Sequence, residues 1–429
     1  MKIHLRMLGC RLNQSEIDTM ARQFQQQGHE IVDRPAQAEQ IVVNTCAVTQ
    51  DATRESRHLL RQLHRANEAA AITVTGCYAQ IAPAEIAVLP GVARLVDNTE
   101  KEHLVTKITG QPLQTFDHEP LERADKSGAA GRTRAFVKVQ DGCDNACTFC
   151  VTTVARGAGH SRALSEIVAE VRYLAALGYQ EAVLTGVHLG SYGHDLGNRQ
   201  GLAQLVERIL AESEIARLRL SSLEPWDLAP EFFDLWQNPR LCRHLHLPLQ
   251  SGCDRTLRRM ARRTSQAQFR ALMQAARARI ADVCITSDVI VGFPGESDEE
   301  FAISAEFIGE MDFAGLHVFR YSPRPGTAAA RMRQQVSEDK KRERSAYLHK
   351  LAAAAEKGFA EKQRGRHLNV LWEHIAGATE QGFMNAGYTD NYIRVQCIHP
   401  RVLTNYITPA RLERYDETRR QMTVTPLLT

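Results

Sequence analysis

Short β-branched runs alternate with amphipathic stretches over roughly the first 100 residues, the pattern of a parallel sheet covered by helices. Residues 3–8, 40–44 and 72–75 predict strands, and residues 14–27 and 52–65 have the length and residue preferences of helices. Strand-helix units in succession predict a doubly wound α/β domain over residues 1–110. The pattern dissolves into Pro, Gly, Asp and Glu over residues 111–131, which read as an interdomain linker. A longer alternation follows, with strands expected near 134–140, 181–187, 217–223, 243–249, 284–292 and 314–321. Helices are expected at 165–177, 202–211, 266–279 and 298–310. Six βα units with right-handed crossovers curl into a partial barrel, not a complete eight-fold one. A Lys/Arg/Ala/Glu-rich helix over 337–362 closes this second domain, 132–362. The rest, 363–429, changes to short β runs such as 368–372 and 392–396 between Gly and Asn turns, which predicts a small all-β barrel.

Composition narrows the class. The chain has 429 residues, 43% hydrophobic and 24% charged, the profile of an ordinary multidomain globular protein. Its N-terminus turns charged before an apolar signal core accumulates. No run approaches the ~20 apolar residues that span a bilayer, so a cytoplasmic protein without a membrane partner is expected. Ten cysteines in that compartment favour metal ligation or catalysis over disulfides. The net charge of +3 is small, but residues 254–280 hold eight arginines against Asp254 alone. Such a run suits a phosphate backbone, and equally a solvated helix face.

Cys143, Cys147 and Cys150 form CxxxCxxC, a spacing that scattered cysteines would produce with a probability of about half a percent. A closed structural zinc site would need a fourth ligand, which no nearby Cys or clear His supplies. Three thiolates instead suit a 4Fe-4S cluster with one open iron, at the strand-end rim where barrel enzymes build their sites. Cys10, Cys46 and Cys77 are far apart in sequence, but each follows an expected strand. Parallel strands end on one side of a sheet, so the three can converge on a second open-iron cluster; three inert core thiols are the competing reading. Cys242, Cys253, Cys284 and Cys397 share no ligating pattern and read as structural.

Two cysteine triads on this three-part plan resemble the methylthiotransferase family over essentially the whole chain. The stretches that carry the resemblance are 9–16 (GCRLNQSE), 44–49 (NTCAVT), 184–193 (LTGVHLGSYG), 244–252 (HLHLPLQSG), 291–296 (VGFPGE) and 321–327 (YSPRPGT). Within the family the first of these looks like the bacterial threonylcarbamoyladenosine-tRNA branch. The resemblance implies a radical S-adenosylmethionine (SAM) enzyme with two 4Fe-4S clusters, SAM as co-substrate and a C-terminal RNA-binding TRAM domain. It also implies methylthiolation of carbon 2 of N6-threonylcarbamoyladenosine on the 3′ side of the anticodon. Cys143, Cys147 and Cys150 would then serve the radical step and Cys10, Cys46 and Cys77 the sulfur step. SAM contacts are expected from Thr185, Gly186, Ser222, Glu224, Gln250, Gly292 and Gly295. Implied partners are a tRNA anticodon stem-loop, a reductant such as flavodoxin or ferredoxin, and a sulfur donor. Action on isopentenyladenosine, on a ribosomal-protein aspartate, or as a noncatalytic RNA-binding iron-sulfur protein are the alternatives; the tail from Arg364, with eight Arg against six acidic residues, favours RNA.

Overall fold

A computed structural model describes residues 1–112 and 133–427. The linker expected at 111–131 therefore lies, after its first two residues, outside the described residues.

The N-terminal unit is a five-stranded parallel sheet of β1 (Lys2–Met7), β2 (Glu30–Ile31), β3 (Gln40–Thr45), β4 (Ala71–Gly76) and β5 (Val92–Leu95), in the order β2-β1-β3-β4-β5. Helices α1 (Arg11–Gln26), α2 (Gln50–Ala66), α3 (Cys77–Ile81), α4 (Pro83–Ala87) and α5 (Leu104–Thr109) lie on both faces. Ile41, Val43, Ile72 and Val74 pack against Leu60 and Leu63 of α2 and against Ile86 of α4. Ile3 and Val42 point the other way, onto Ile17, Met20 and Phe24 of α1 and Leu104 of α5. This is the alternation of a doubly wound sheet buried on both faces. β2 and β5 add two edge strands to the three expected from the sequence.

The central unit begins with β6 (Arg134–Lys138) and a small antiparallel pair, β7 (Gln140–Asp141) with β8 (His160–Ser161), that brackets α6 (Thr152–Arg156). There follow α7 (Leu164–Ala176), β9 (Glu181–Thr185), α8 (Gly201–Glu212), β10 (Arg217–Leu220), β11 (His244–His246), α9 (Asp254–Arg259) and α10 (Gln266–Arg279). The unit closes with β12 (Cys284–Val291), α11 (Asp298–Glu310), β13 (Gly315–Arg320) and α12 (Glu338–Lys362). β6, β9 and β10 form one parallel sheet and β11, β12 and β13 another. Parallel bridges Leu218–Leu241 and Ser222–His246 join them into one curved wall of six strands. Among the described residues no pairing joins β13 back to β6, so the barrel is partial. Polar caps start its helices where the sequence puts them: Ser265 caps α10, Ser337 caps α12, and Ser297 with Glu300 forms a reciprocal capping box on α11.

The C-terminal unit is a closed barrel of β14 (His367–Thr379), β15 (Gly382–Thr389), β16 (Arg394–His399), β17 (Ile407–Asp416) and β18 (Gln421–Pro426) around the fully buried Trp372. It is no loose appendage. The β15–β16 turn enters the foot of the central barrel, where Tyr392, with φ at +66°, packs against His244 with ring centres 4.4 Å apart and lies under the Arg219 guanidinium at 4.6 Å. Arg217 donates to the carbonyls of Asn369 (2.7 Å) and Tyr388 (3.2 Å), and Arg243 pairs with the Asp390 carboxylate at 2.6 Å.

Beneath this plug Arg219 clasps both carboxylate oxygens of Glu181, at 2.6 and 3.1 Å, with neither side chain reaching solvent. Burial alone would raise the Glu181 carboxyl, but Arg219, with help from Arg134 and Arg217, outweighs it and brings it down to about 2. A free carboxyl binds its proton near 4.5, so the unfolded chain takes up the proton first. The pair's contribution is complete above that value and is lost as pH falls toward 2. That difference corresponds to roughly 3 kcal/mol. Glu181→Gln should therefore be less stable than wild type near neutrality and lose less of its stability between about pH 5 and pH 2. Urea unfolding followed by circular dichroism measures both; identical acid slopes in the two proteins would exclude this role for the pair.

Candidate functional site: two cysteine triads

Cys10, Cys46 and Cys77 follow β1, β3 and β4, three adjacent strands of the N-terminal sheet, and so meet at its carboxyl edge. Their loops touch: a Cβ on Gly9, whose φ is +105°, would fall 2.8 Å from the Cys46 sulfur. Cys46 and Cys77 are buried and Cys10 is exposed. Burial pushes the Cys46 thiol up to about 11, and the neighbouring Cys10 and Cys77 add to the rise. Amide groups of Val48 and Ala47 point at Cys46 and oppose it, as Arg156 does at Cys10. Arg324, buried and lacking a partner at Nε, feels the charge of Cys46. N–H donors and the guanidinium groups of Arg156 and Arg324 around three sulfurs suit an anionic iron-sulfur cluster.

The second triad occupies the loop from β7 to α6. Gly142, at φ +70°, lets the loop cross itself, since a Cβ there would lie 1.8 Å from the Ala158 carbonyl oxygen. Cys143 N–H donates to Gly157 O at 3.0 Å, and Thr148 is tied to Met260, Arg259 and Ala329. Backbone amides again face sulfur: Asn145 N–H donates to Cys143 Sγ at 3.5 Å and Thr152 N–H to Cys150 Sγ at 3.4 Å. Arg262 Nη1 stands 3.8 Å from Cys147 Sγ, with the guanidinium 4.4 Å over the Trp226 ring. Burial raises the Cys147 thiol to about 11 against the pull of Arg262. His188 pairs through Nε2 with Asp227 and lies 3.2 Å from the Asn145 amide. Burial lowers its pKa, but Asp227 and Cys143 outweigh that and hold it near 10.

The residues expected to touch SAM lie at or after the ends of the barrel strands. Thr185 ends β9, buried, and Gly186 abuts the side chain of Gln140. Ser222 bridges to His246, and Gln250, at φ +73°, extends the wall by exchanging backbone hydrogen bonds with the β12 segment around Asp288 and Ile290. Glu224 is bidentate with Arg262, at 3.1 and 2.6 Å, so it positions that guanidinium beside Cys147. Gly292 donates to Glu296 at 2.6 Å and packs on Lys341, while Gly295 meets Gln334 and Arg259. A cavity of about 200 Å³ beside the triad is lined by Gln140, Asp144, Asn145, His188, Asp227 and Arg263, among others. A larger one, about 1100 Å³, lies at the foot of the barrel against the C-terminal unit, at the opposite strand ends from the cysteines.

One buried network joins the triads. Glu16 of α1 accepts from Arg156 (2.9 Å), Lys101 (2.9 Å) and Asn44 (2.9 Å), and Arg156 continues to Asp141 at 2.9 Å and Asn13 at 2.8 Å. Lys138 completes it, 3.8 Å from Glu16 and 3.4 Å from Asp141. The Arg156 and Glu16 side chains are only 2% and 3% exposed. Burial raises the Glu16 carboxyl, but Lys101, Arg156 and Lys138 hold it well below the usual carboxylate range. At this centre Arg156, Lys101 and Lys138 face Glu16 and Asp141, and Lys138 also reaches the exposed Glu102 carboxylate at 3.5 Å. Sequence reading missed Arg156, Arg262, His188, Lys101 and Arg324. The available signal was their offset from a cysteine or motif: Arg156 follows Cys150 by one short helix, and Asn13 and Glu16 repeat on one face of the helix that Cys10 begins.

The arginine run of 254–280 is largely engaged within the protein. Arg255 and Arg259 pair with Glu300, Arg262 with Glu224, Arg270 with Glu310 and Arg279 with Asp234, while Arg277 donates to the Met311 and Asp312 carbonyls. Among the described residues only Arg258 and Arg263 of the eight lack such a partner, so a continuous phosphate-binding stripe is not formed. Cys242, Cys253, Cys284 and Cys397 are buried apart from either triad. Among the described residues no helix is long and apolar enough to cross a membrane.

Residues 2–97 match the model of the uncharacterized protein family UPF0004, and residues 137–308 that of the radical SAM superfamily. The threonylcarbamoyladenosine tRNA methylthiotransferase of Bacillus subtilis (strain 168) is 37% identical, covering 90% of this chain and 88% of its own. Its Thermotoga maritima namesake is 36% identical over 93% and 92%. The tRNA-2-methylthio-N(6)-dimethylallyladenosine synthase of Maricaulis maris is 33% identical over 87% and 86%. Among solved structures, the radical SAM methyltransferase TsrM of Kitasatospora setae shares the fold, with a TM-score of 0.59 at 15% identity over 77% of each chain. With two strand-end cysteine triads joined by a shared ion network, and relatives of this kind matched over nearly their full length, the chain belongs to the radical SAM methylthiotransferase family.

Proposed function

We propose that the enzyme methylthiolates carbon 2 of N6-threonylcarbamoyladenosine at the position 3′ to the tRNA anticodon. Methylthiotransferases carry two 4Fe-4S clusters and use SAM. In this reading Cys143, Cys147 and Cys150 hold one cluster and Cys10, Cys46 and Cys77 the other. The observation that carries it is the pair of triads at strand ends, each ringed by amide donors and a cation and joined through Arg156 and Glu16. When loaded, the barrel site supplies a radical able to abstract hydrogen from an aromatic C–H, and the N-terminal site supplies the sulfur. The chain's own residues do the positioning: Glu224 holds Arg262 against Cys147, Asp227 holds His188 charged beside Cys143, and the network sets the distance between loops. The threonylcarbamoyl substrate is supported by the naming of relatives at 37% and 36% identity, above the 33% of the dimethylallyladenosine synthase. RNA would be held by the C-terminal barrel, read as a TRAM domain, with Arg258 and Arg263 reaching the backbone; a cytoplasmic setting, a low-potential reductant and a sulfur donor complete the reading.

Reductive cleavage of SAM to 5′-deoxyadenosine, followed by mass analysis of tRNA nucleosides, tests the whole reading. Cys147→Ser should abolish 5′-deoxyadenosine formation, and substantial residual cleavage by iron-replete protein would overturn the assignment of the barrel triad. Replacing Cys10, Cys46 and Cys77 together with Ala should lower iron from about eight to about four per chain. That variant should still form 5′-deoxyadenosine but deliver no methylthio group. Full iron and full methylthiolation in it would return the three cysteines to the role of core thiols.

A further inference from the structure

The lumen of the partial barrel is polar. Leu218, Leu220, Leu245, Ile285, Val289, Leu316 and Val318 turn outward into the helix-covered core, so the alternate residues of the same strands face inward. From the foot upward these are the Glu181–Arg219 pair under Tyr392, then His244, then His246 with Asp288 and His317. Highest is Phe319, paired in register with Ile290 and 42% exposed despite its aromatic ring.

Into this lumen the N-terminal unit sends Arg11, the residue after Cys10. Its Nη2 donates to the Tyr392 hydroxyl at 2.8 Å, and its guanidinium lies 5.7 Å from that ring. Both His244 and His317 feel its charge. Arg219, in the same lumen, is neutralised by Glu181, whereas among the described residues no carboxylate pairs with Arg11. The lumen carboxylate Asp288 is taken by His246 Nε2 at 3.2 Å, whose other nitrogen lies 2.9 Å from Thr286 Oγ1. His246, Asp288 and His317 converge within 4.8 Å, a donor set that would also suit a divalent cation, but the Arg11 charge beside them opposes a second cation.

We infer that this lumen is the subsite for the N6 substituent of the target adenosine, with Arg11 receiving the carboxylate of the threonylcarbamoyl group. His317 and Asp288 meet its hydroxyl and urea groups, and Phe319 offers a stacking face to the base. The inference rests on the reaction proposed above and adds how the enzyme selects its nucleoside. An unpaired guanidinium makes a charge-assisted, fork-shaped contact with a carboxylate. A hydrocarbon substituent would leave the Arg11 guanidinium desolvated without a carboxylate partner, which discriminates more strongly than an apolar pocket rejects a polar group. Because Arg11 adjoins Cys10, the same loop would read the substituent and carry the sulfur site.

The test is a cycle over two proteins and two RNAs: wild type and Arg11→Gln, each with an anticodon stem-loop bearing threonylcarbamoyladenosine or the same RNA with its threonyl carboxylate as the methyl ester. Arg11→Gln should lower kcat/KM on the acid about ten- to hundred-fold, mainly through KM. Esterification should cost wild type a similar factor and cost the variant almost nothing, and Arg11→Lys should recover part of the loss. Losses that multiply independently, or a variant within two-fold of wild type, would overturn the subsite. Iron content equal to wild type is the check on folding; should Arg11→Gln lose its cluster, His317→Ala decides, because it must raise KM for the acid and an unchanged KM overturns the inference. Wild type that modifies isopentenyladenosine RNA and leaves the threonylcarbamoyl RNA untouched would overturn the proposed substrate, and the subsite with it.

Discussion

The contact between Glu16 and Arg156 is the constraint on which the rest of the site depends. It is an ion pair almost wholly removed from water, made by residues 140 positions apart. Two such charges are stable together only when every remaining donor and acceptor is met, because desolvation of either alone costs several kcal/mol. Lys101, Asn44, Asn13 and Asp141 meet them here. A network of this kind tolerates little displacement, and its members leave from the Cys10 loop, the Cys46 strand and the helix after Cys150. The separation of the two triads is thereby held by the geometry of hydrogen bonds between charged groups, which falls off more sharply than apolar packing.

The same docking answers a problem of the open barrel. A six-stranded wall leaves two edges with unpaired backbone groups. At one edge Ser15 of α1 accepts from the Lys138 N–H of β6 at 3.0 Å. At the other, α12 runs along β13, with Lys341 over the Tyr321 ring and Arg344 bonded to Glu296. The C-terminal barrel fills the foot with the Tyr392 turn. What remains open is the strand-end rim where both triads lie, so the fold directs access to the place where the chemistry is assembled.

Electrostatics follow from that enclosure. Burial raises the thiols of Cys46 and Cys147 to about 11, so without metal they are protonated near neutrality. Ligation requires thiolate, and loading iron therefore releases protons into a wall that Arg156, Arg262, Arg324 and backbone amides have already made receptive to negative charge.

Much of this plan was legible in the chain. CxxxCxxC is a local spacing, strand-end cysteines follow from period and turn, and Ser265, Ser297 with Glu300, and Ser337 mark helix starts through side-chain bonds to amides three residues on. These interactions span a few residues, so sequence order encodes them directly. β2, of two residues, and β5, with the pattern VARL, are too short for a period to register, and only pairing with β1 and β4 makes them strands. The arginine run illustrates the opposite failure: its charge is local, but its partners Glu224, Asp234, Glu300 and Glu310 come from elsewhere in the fold and neutralise much of an apparent phosphate stripe. The entry of Tyr392 into the barrel foot and of Arg11 beside it joins residues 381 apart. Sequence by itself determined which residues can ligate and where elements begin, because those depend on neighbours along the chain. Which charges meet, and what faces the lumen, was decided only by tertiary structure, because desolvation and ion pairing depend on neighbours in space.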